Sequence, residues 1–224
     1  GPVFGGGEPS DQDFQISGLL VGQTTKKNVH SKTRNIDIFD VKADVEATLA
    51  ALGAPKKVQI TRAGNSWWHP GRHGCIGLGP KTVLAVFGEI HPKILKAMDV
   101  KGPAVAFTIW PNSIPTPRNK KSTRSALNLV DLQAVERDFA FIVDNKVEAS
   151  DLVIAAKGAD KKLIQDVRVF DEFVGKEFGD EKKSIALTVR LQPDEKTLTD
   201  AEIEDLSKKV IEKVENATGG VLRT

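Results

Sequence analysis

The stretch that most constrains this chain is Ser184-Ile-Ala-Leu-Thr-Val-Arg-Leu191, where apolar residues alternate with small or polar ones without a break. A period of two does not suit a helix. It puts Ile185, Leu187, Val189 and Leu191 on one face of a strand and Ser184, Ala186, Thr188 and Arg190 on the other. Upstream, Arg137-Asp-Phe-Ala-Phe-Ile-Val143 reads as a strand with Phe139, Phe141 and Val143 inward and Asp138, Ala140 and Ile142 outward. Between the two, Ser150 is expected to cap a short helix through Leu152, Val153 and Ala156, closed by Gly158. Leu163–Val174 then reads as a long strand and Lys176–Asp180 as a turn. Downstream, Thr199-Asp-Ala-Glu202 is a capping box that opens a helix with Ile203, Leu206, Val210, Ile211 and Val214 on its inner face. Gly219-Gly220 ends that helix, and Val221-Leu222 supplies a short last strand.

The order is βαββαβ, the split-βαβ arrangement of a ferredoxin-like domain over residues 131–224. Both helices cover one sheet face, so the other is expected to be open. Along its central strands that face is small and polar, which suits close approach of a flat ligand such as a nucleobase. Asp171 and Phe173 share a face of the Leu163–Val174 strand. On the open side, Phe173 can stack a base and Asp171 can accept its N–H groups. Val167 and Val169 have the same parity and look like core. Either a β-bulge near Phe170 shifts the register, or Asp171 and Phe173 point inward.

Residues 1–130 are less regular. Ile36–Phe39 reads as a short strand, after which Asp40 is expected to cap a helix with Val41, Val45, Leu49 and Leu52 on one face, stopped by Gly53. Val58–Ile60, Thr82–Phe87 and Val105–Trp110 read as strands, Trp67–Gly74 as a turn, and Pro92 as the first residue of a helix. Residues 111–130 carry three prolines and the basic group Arg118, Lys120, Lys121 and Arg124, which marks a linker or a phosphate-tracking arm.

Charge divides along the same line. Residues 1–130 hold 17 Lys and Arg against 9 Asp and Glu, whereas residues 131–224 hold 15 against 21, a balance of +8 against −6. Bulk attraction to phosphate is therefore excluded as the way the second part would hold a nucleic acid. The single cysteine, Cys75, rules out an internal disulfide and fits a reducing, cytoplasmic setting. No apolar run reaches the ~20 residues of a membrane span. The start at Gly1 reads as a processed protein or an excised fragment.

His69, His73 and Cys75 lie within seven residues but lack the paired-cysteine spacing of a structural zinc site, so they read as part of a turn. Gly77-Leu-Gly79-Pro-Lys81 lacks the spacing of a phosphate loop, and no Ser/His/Asp or Cys/His set stands out. No catalytic or metal-ligating residue is assigned.

Several strings in fixed order resemble the β chains of bacterial phenylalanyl-tRNA synthetases, across essentially all 224 residues. They are Phe39-Asp40, His69-Pro70-Gly71-Arg72, Phe87-Gly-Glu-Ile-His-Pro92, Arg137-Asp-Phe-Ala-Phe141, Phe170-Asp-Glu-Phe173, Lys183-Ser184 and Lys196-Thr-Leu-Thr-Asp200. The resemblance implies an α+β protein. Residues 1–130 would be the latter part of a catalytically silent, class II synthetase-like antiparallel core. Residues 131–224 would be the ferredoxin-fold anticodon-binding domain.

It further implies contacts to the tRNA(Phe) anticodon from Ala140, Asp171, Phe173 and Ser184. The family often has Tyr where this chain has Phe173, which keeps stacking and loses a hydroxyl contact. Partners would be tRNA(Phe) and a catalytic α subunit in an α2β2 enzyme. ATP and Mg²⁺ would act on that subunit, and no cofactor is expected on these residues. The editing and N-terminal tRNA-binding modules would lie outside them, so the truncated core is expected to expose apolar surface and self-associate. A ferredoxin-like module for ligand sensing or dimerisation is the alternative, since this fold hosts many functions. A metal hydrolase at His69, His73 and Cys75 is a third reading, which would require bound metal.

Overall fold

The computed structural model describes residues 1–79, 81–116, 130–179 and 181–223. The basic group at Arg118–Arg124 lies outside the described residues. The chain forms two compact units, Gly1–Thr123 and Arg124–Thr224, each with its own hydrophobic cluster.

In the first unit β1 (Pro2–Phe4) and β2 (Gln12–Phe14) make a small antiparallel pair. The main sheet is antiparallel, with strands β3 (Ile16–Val21), β4 (Gln59–Thr61), β5 (Trp68–Gly77), β6 (Val83–Ile90) and β7 (Ala104–Ile109) in the order β3-β7-β6-β5-β4. Helix α1 (Ile38–Ala51) buries Val41, Val45 and Leu49 against Ile76, Leu84, Val105 and Ile109. The short α2 (Pro92–Ala97) follows β6, with His91 as N-cap and Pro at its first position. Phe87 and Phe107 each lie opposite a glycine on the neighbouring strand. A Cβ on Gly74 would meet Phe87 at 2.8 Å and one on Gly18 would meet Phe107 at 2.2 Å, so each ring lies over bare backbone.

Three expectations for this unit change. Ile36–Phe39 is not a strand, because the capping box closes one turn earlier. Asp37, not Asp40, is the N-cap, accepting from the Phe39 and Asp40 amides, and Asp40 answers as the third helical residue. The Trp67–Gly74 turn lies mostly in β5. Trp68 pairs with Ile90 and His73 with Gly88, so four residues, His69–Arg72, face Glu89 alone. The Pro-Gly signal there makes a bulge inside a strand rather than a chain reversal. The three N-terminal strands carry no expectation from the sequence.

In the second unit β8 (Val135–Asp144), α3 (Ala149–Lys157), β9 (Ile164–Phe173), β10 (Lys182–Leu191), α4 (Asp200–Thr218) and β11 (Val221–Leu222) follow the βαββαβ order. The sheet is antiparallel with order β11-β8-β10-β9, the ferredoxin-like arrangement. Phe139, Phe141 and Val143 of β8 and Ile185, Leu187, Val189 and Leu191 of β10 are buried against Leu152 and Ala156 of α3 and Leu206, Val210 and Val214 of α4. Helix α4 starts on the capping box. The Thr199 amide donates to Glu202 Oε2 at 2.9 Å, and the Glu202 amide returns a bond to Thr199 Oγ1. It ends at Gly219 with φ 66°, the left-handed cap that glycine takes without strain. Helix α3 is capped by Glu148 rather than Ser150, because a second capping box pairs Glu148 with Asp151.

Candidate nucleic-acid interface

The face of the second sheet away from α3 and α4 is organised in rows across β8, β10 and β9. Ala186 pairs with Ala140 on one side and Asp171 on the other; Ser184 pairs with Ile142 and Phe173. Directly paired residues share a sheet face. Ala140, Asp171, Phe173 and Ser184 therefore lie together on the side opposite Ile185 and Leu187.

A β-bulge makes this possible. Leu187 pairs with Val169 and Ala186 with Asp171, leaving Phe170 as an extra residue without a partner. Val167 stays on the core side, 4% exposed, while Asp171 and Phe173 switch to the other. Phe173 is 45% exposed. Next to the bulge, the Lys183 ammonium lies 3.1 Å from the Glu172 carboxylate across the β9–β10 pair, its side chain largely buried.

Toward the other end the face is charged. Thr188 Oγ1 donates to Asp138 at 2.7 Å, and Glu136 lies between the guanidinium groups of Arg168 and Arg190, at 3.9 and 3.8 Å. Arg223, following β11, donates its backbone amide to Ala140 O at 2.7 Å. Parity along β9 hides Arg168, because the bulge breaks it, and Arg223 lies beyond the last strand. Each of these three arginines is paired with a carboxylate, Arg168 and Arg190 with Glu136 and Arg223 with Glu177.

The face is less open than expected. A short 3-10 turn, Lys176–Phe178, folds back over it, and Ser184 is only 4% exposed. The Phe178 ring meets Phe173 edge-on with centroids 6.0 Å apart, and the Arg223 guanidinium lies 5.1 Å above the same ring. Phe178 carries no sequence signal, since its contacts are formed only when β9 and β11 come into one sheet.

The first unit shows no comparable convergence. His69 and His73 serve the bulge: the Gly71 amide donates to His69 Nδ1 at 3.2 Å, and His73 Nδ1 lies 2.8 Å from the His69 carbonyl oxygen. Among the described residues no three His, Cys, Asp or Glu side chains come together as a metal site. Cys75 is buried, and burial pushes its thiol above the ordinary range against a smaller opposing bond from Thr61, the wrong direction for a nucleophile. An apolar groove of about 680 Å³ is lined by Leu19, Val21, Trp67, Ile94 and Met98. Among the described residues no helix is long and apolar enough to cross a membrane.

Two family models cover most of the chain. One, described as a ferredoxin-fold anticodon binding domain, matches residues 131–223; the other, described as the phenylalanyl tRNA synthetase beta chain CLM domain, matches residues 1–110. The chain belongs to the phenylalanyl-tRNA synthetase β-chain family. Curated members of that family include the phenylalanine–tRNA ligase beta subunit of Ruegeria pomeroyi, 65% identical over 223 residues. Those of Cereibacter sphaeroides and Mesorhizobium japonicum are 60% and 53% identical. The alignments cover 100%, 100% and 97% of this chain but 28% of each relative, so the chain spans little more than a quarter of their length.

Proposed function

We propose that this chain is the tRNA-recognising and supporting part of a phenylalanine–tRNA ligase β subunit. Residues 131–224 read the anticodon of tRNA(Phe) on the sheet face of β8, β10 and β9, with Phe173 stacking on a base and Asp171 accepting its N–H groups. Ala140 leaves room for the base plane, and Ser184 offers a hydroxyl. Recognition by stacking and short hydrogen bonds suits a unit whose net charge is −6. Residues 1–130 act as scaffold, the latter part of a silent class II-like core, and their apolar groove meets the rest of the ligase. Aminoacylation with ATP and Mg²⁺ belongs to a catalytic α subunit in an α2β2 enzyme of the cytoplasm, outside this chain.

The observation that carries the reading is the shared face of Ala140, Asp171, Phe173 and Ser184, created by the Phe170 bulge. The experiment is a binding titration with two stem-loops of equal length, one with the phenylalanine anticodon and one with an unrelated anticodon. Preference for the first supports anticodon reading; equal affinity for both contradicts it.

A further inference from the structure

The 3-10 turn over the sheet face has a role that the base-reading site by itself does not require. Phe173 lies on β9 at one edge of the sheet, and Arg223 follows β11 at the other. Phe178 touches both, so its ring spans the face above β10 and β8. The turn is tightly folded. The Phe178 amide donates to Gly175 O at 3.1 Å, and Gly175 lies so close to the Phe173 ring that a Cβ there would meet it at 2.5 Å. Glu177 adds an exposed ion pair to Arg223 at 3.8 Å. On the same side of the sheet Ser184 is buried and Ala140 only partly accessible, although among the described residues α3 and α4 pack on the other side.

We propose that Phe178 is a gate residue. Its ring takes the place of a nucleobase against Phe173, and the Gly175–Gly179 turn must swing away before an RNA base can stack there and reach Ser184. This rests on the base-reading role of the face and adds its regulation. The edge-on aromatic contact and the cation–π contact each favour the closed arrangement by about two- to tenfold. Together they leave only a minor open fraction, and apparent affinity for RNA is reduced by that fraction. The contacts are few and at the surface, so the closed turn releases without unfolding the sheet.

The test uses the full chain with Ser184→Cys as an accessibility probe, since the native thiol of Cys75 is buried in the other unit. A neutral thiol reagent is expected to label position 184 slowly, about twofold or more faster when Arg223→Gln is added, and at least about fivefold faster with Phe178→Ala, which removes both contacts. In the Ser184 background, Phe178→Ala is expected to bind the phenylalanine-anticodon stem-loop about five- to fiftyfold more tightly, with circular dichroism unchanged. Equal labelling with and without Phe178 removes the gate and leaves the base-reading role standing. Labelling as expected with no RNA bound by either protein removes the base-reading role, and the gating role with it. Weaker RNA binding by Phe178→Ala makes Phe178 a direct support of the base and overturns the gate.

Discussion

Ala186 and Leu187 are neighbours in the central strand β10, yet their substitution should have opposite consequences. Leu187 is fully buried, between Phe139 on β8 and Val169 on β9. Truncating such a leucine to alanine costs about 2–5 kcal/mol, the lost transfer energy plus that of the cavity left behind. At a central position held by strands on both sides, relaxation is limited, and we take about 3 kcal/mol. For a unit of this size that is a fall of roughly 12–24 °C in melting temperature. Ala186→Leu adds its side chain to the other face, between Ala140 and Asp171, and should cost under about 1 kcal/mol. It fills the row over which a base plane would lie, so RNA affinity should drop by at least about tenfold (1.4 kcal/mol). The assay is thermal unfolding by far-ultraviolet circular dichroism, with tryptophan fluorescence as an internal control. Trp67, Trp68 and Trp110 all belong to the first unit, so fluorescence should not report the change. A Leu187→Ala protein within about 1 kcal/mol of the parent, or an Ala186→Leu protein destabilised as strongly, would refute the assignment of the two faces.

Two further outcomes concern titratable groups. Glu202 is held down to about 2, first by the Lys196 ammonium and then by the Thr199 amide and hydroxyl, from an ordinary value of 4.5. Because the folded value is the lower one, its contribution to stability is complete above pH 4.5 and is lost as pH falls toward 2. Glu202→Gln should remove that part of the acid dependence in melts of the helical signal. Cys75, buried with its thiol raised, should resist a neutral alkylating reagent at pH ~8 until the first unit unfolds, and fast labelling of the native protein would contradict its burial.

The ferredoxin-like unit was legible from local signals because they all agree: strict alternation over Ser184–Leu191, the Thr199/Glu202 capping box and the Gly219 stop. The direction of Phe173 was not. Parity along β9 groups it with Val167, and only the pairing with β10 reveals that Phe170 is the inserted residue. In the first unit, Asp37 and Asp40 are the same residue type three apart, and either suits a cap; the hydrogen bonds decide it. Gly18 interrupts the pattern of β3, and the first two strands are only three residues each, too short for a periodic signal. Pro70-Gly71 marks irregular backbone correctly without distinguishing a turn from a bulge. The edge-on meeting of Phe178 with Phe173 is a tertiary contact, with no period or motif to announce it.

The most direct test of RNA reading on this sheet face is the affinity of Phe173→Ala for the phenylalanine-anticodon stem-loop, with Glu204→Ala as the comparison. Phe173 is half-exposed at the sheet edge, whereas Glu204 lies on the solvent side of α4, paired with Lys208 at 3.0 Å. With Phe178→Ala in every protein compared, so that the Phe178 contact is already absent, loss of one base–aromatic stack should weaken binding by roughly 5- to 100-fold (about 1–3 kcal/mol), while Glu204→Ala stays at the affinity of its background. Unchanged affinity in Phe173→Ala, or equal loss in both, would contradict RNA reading on this face.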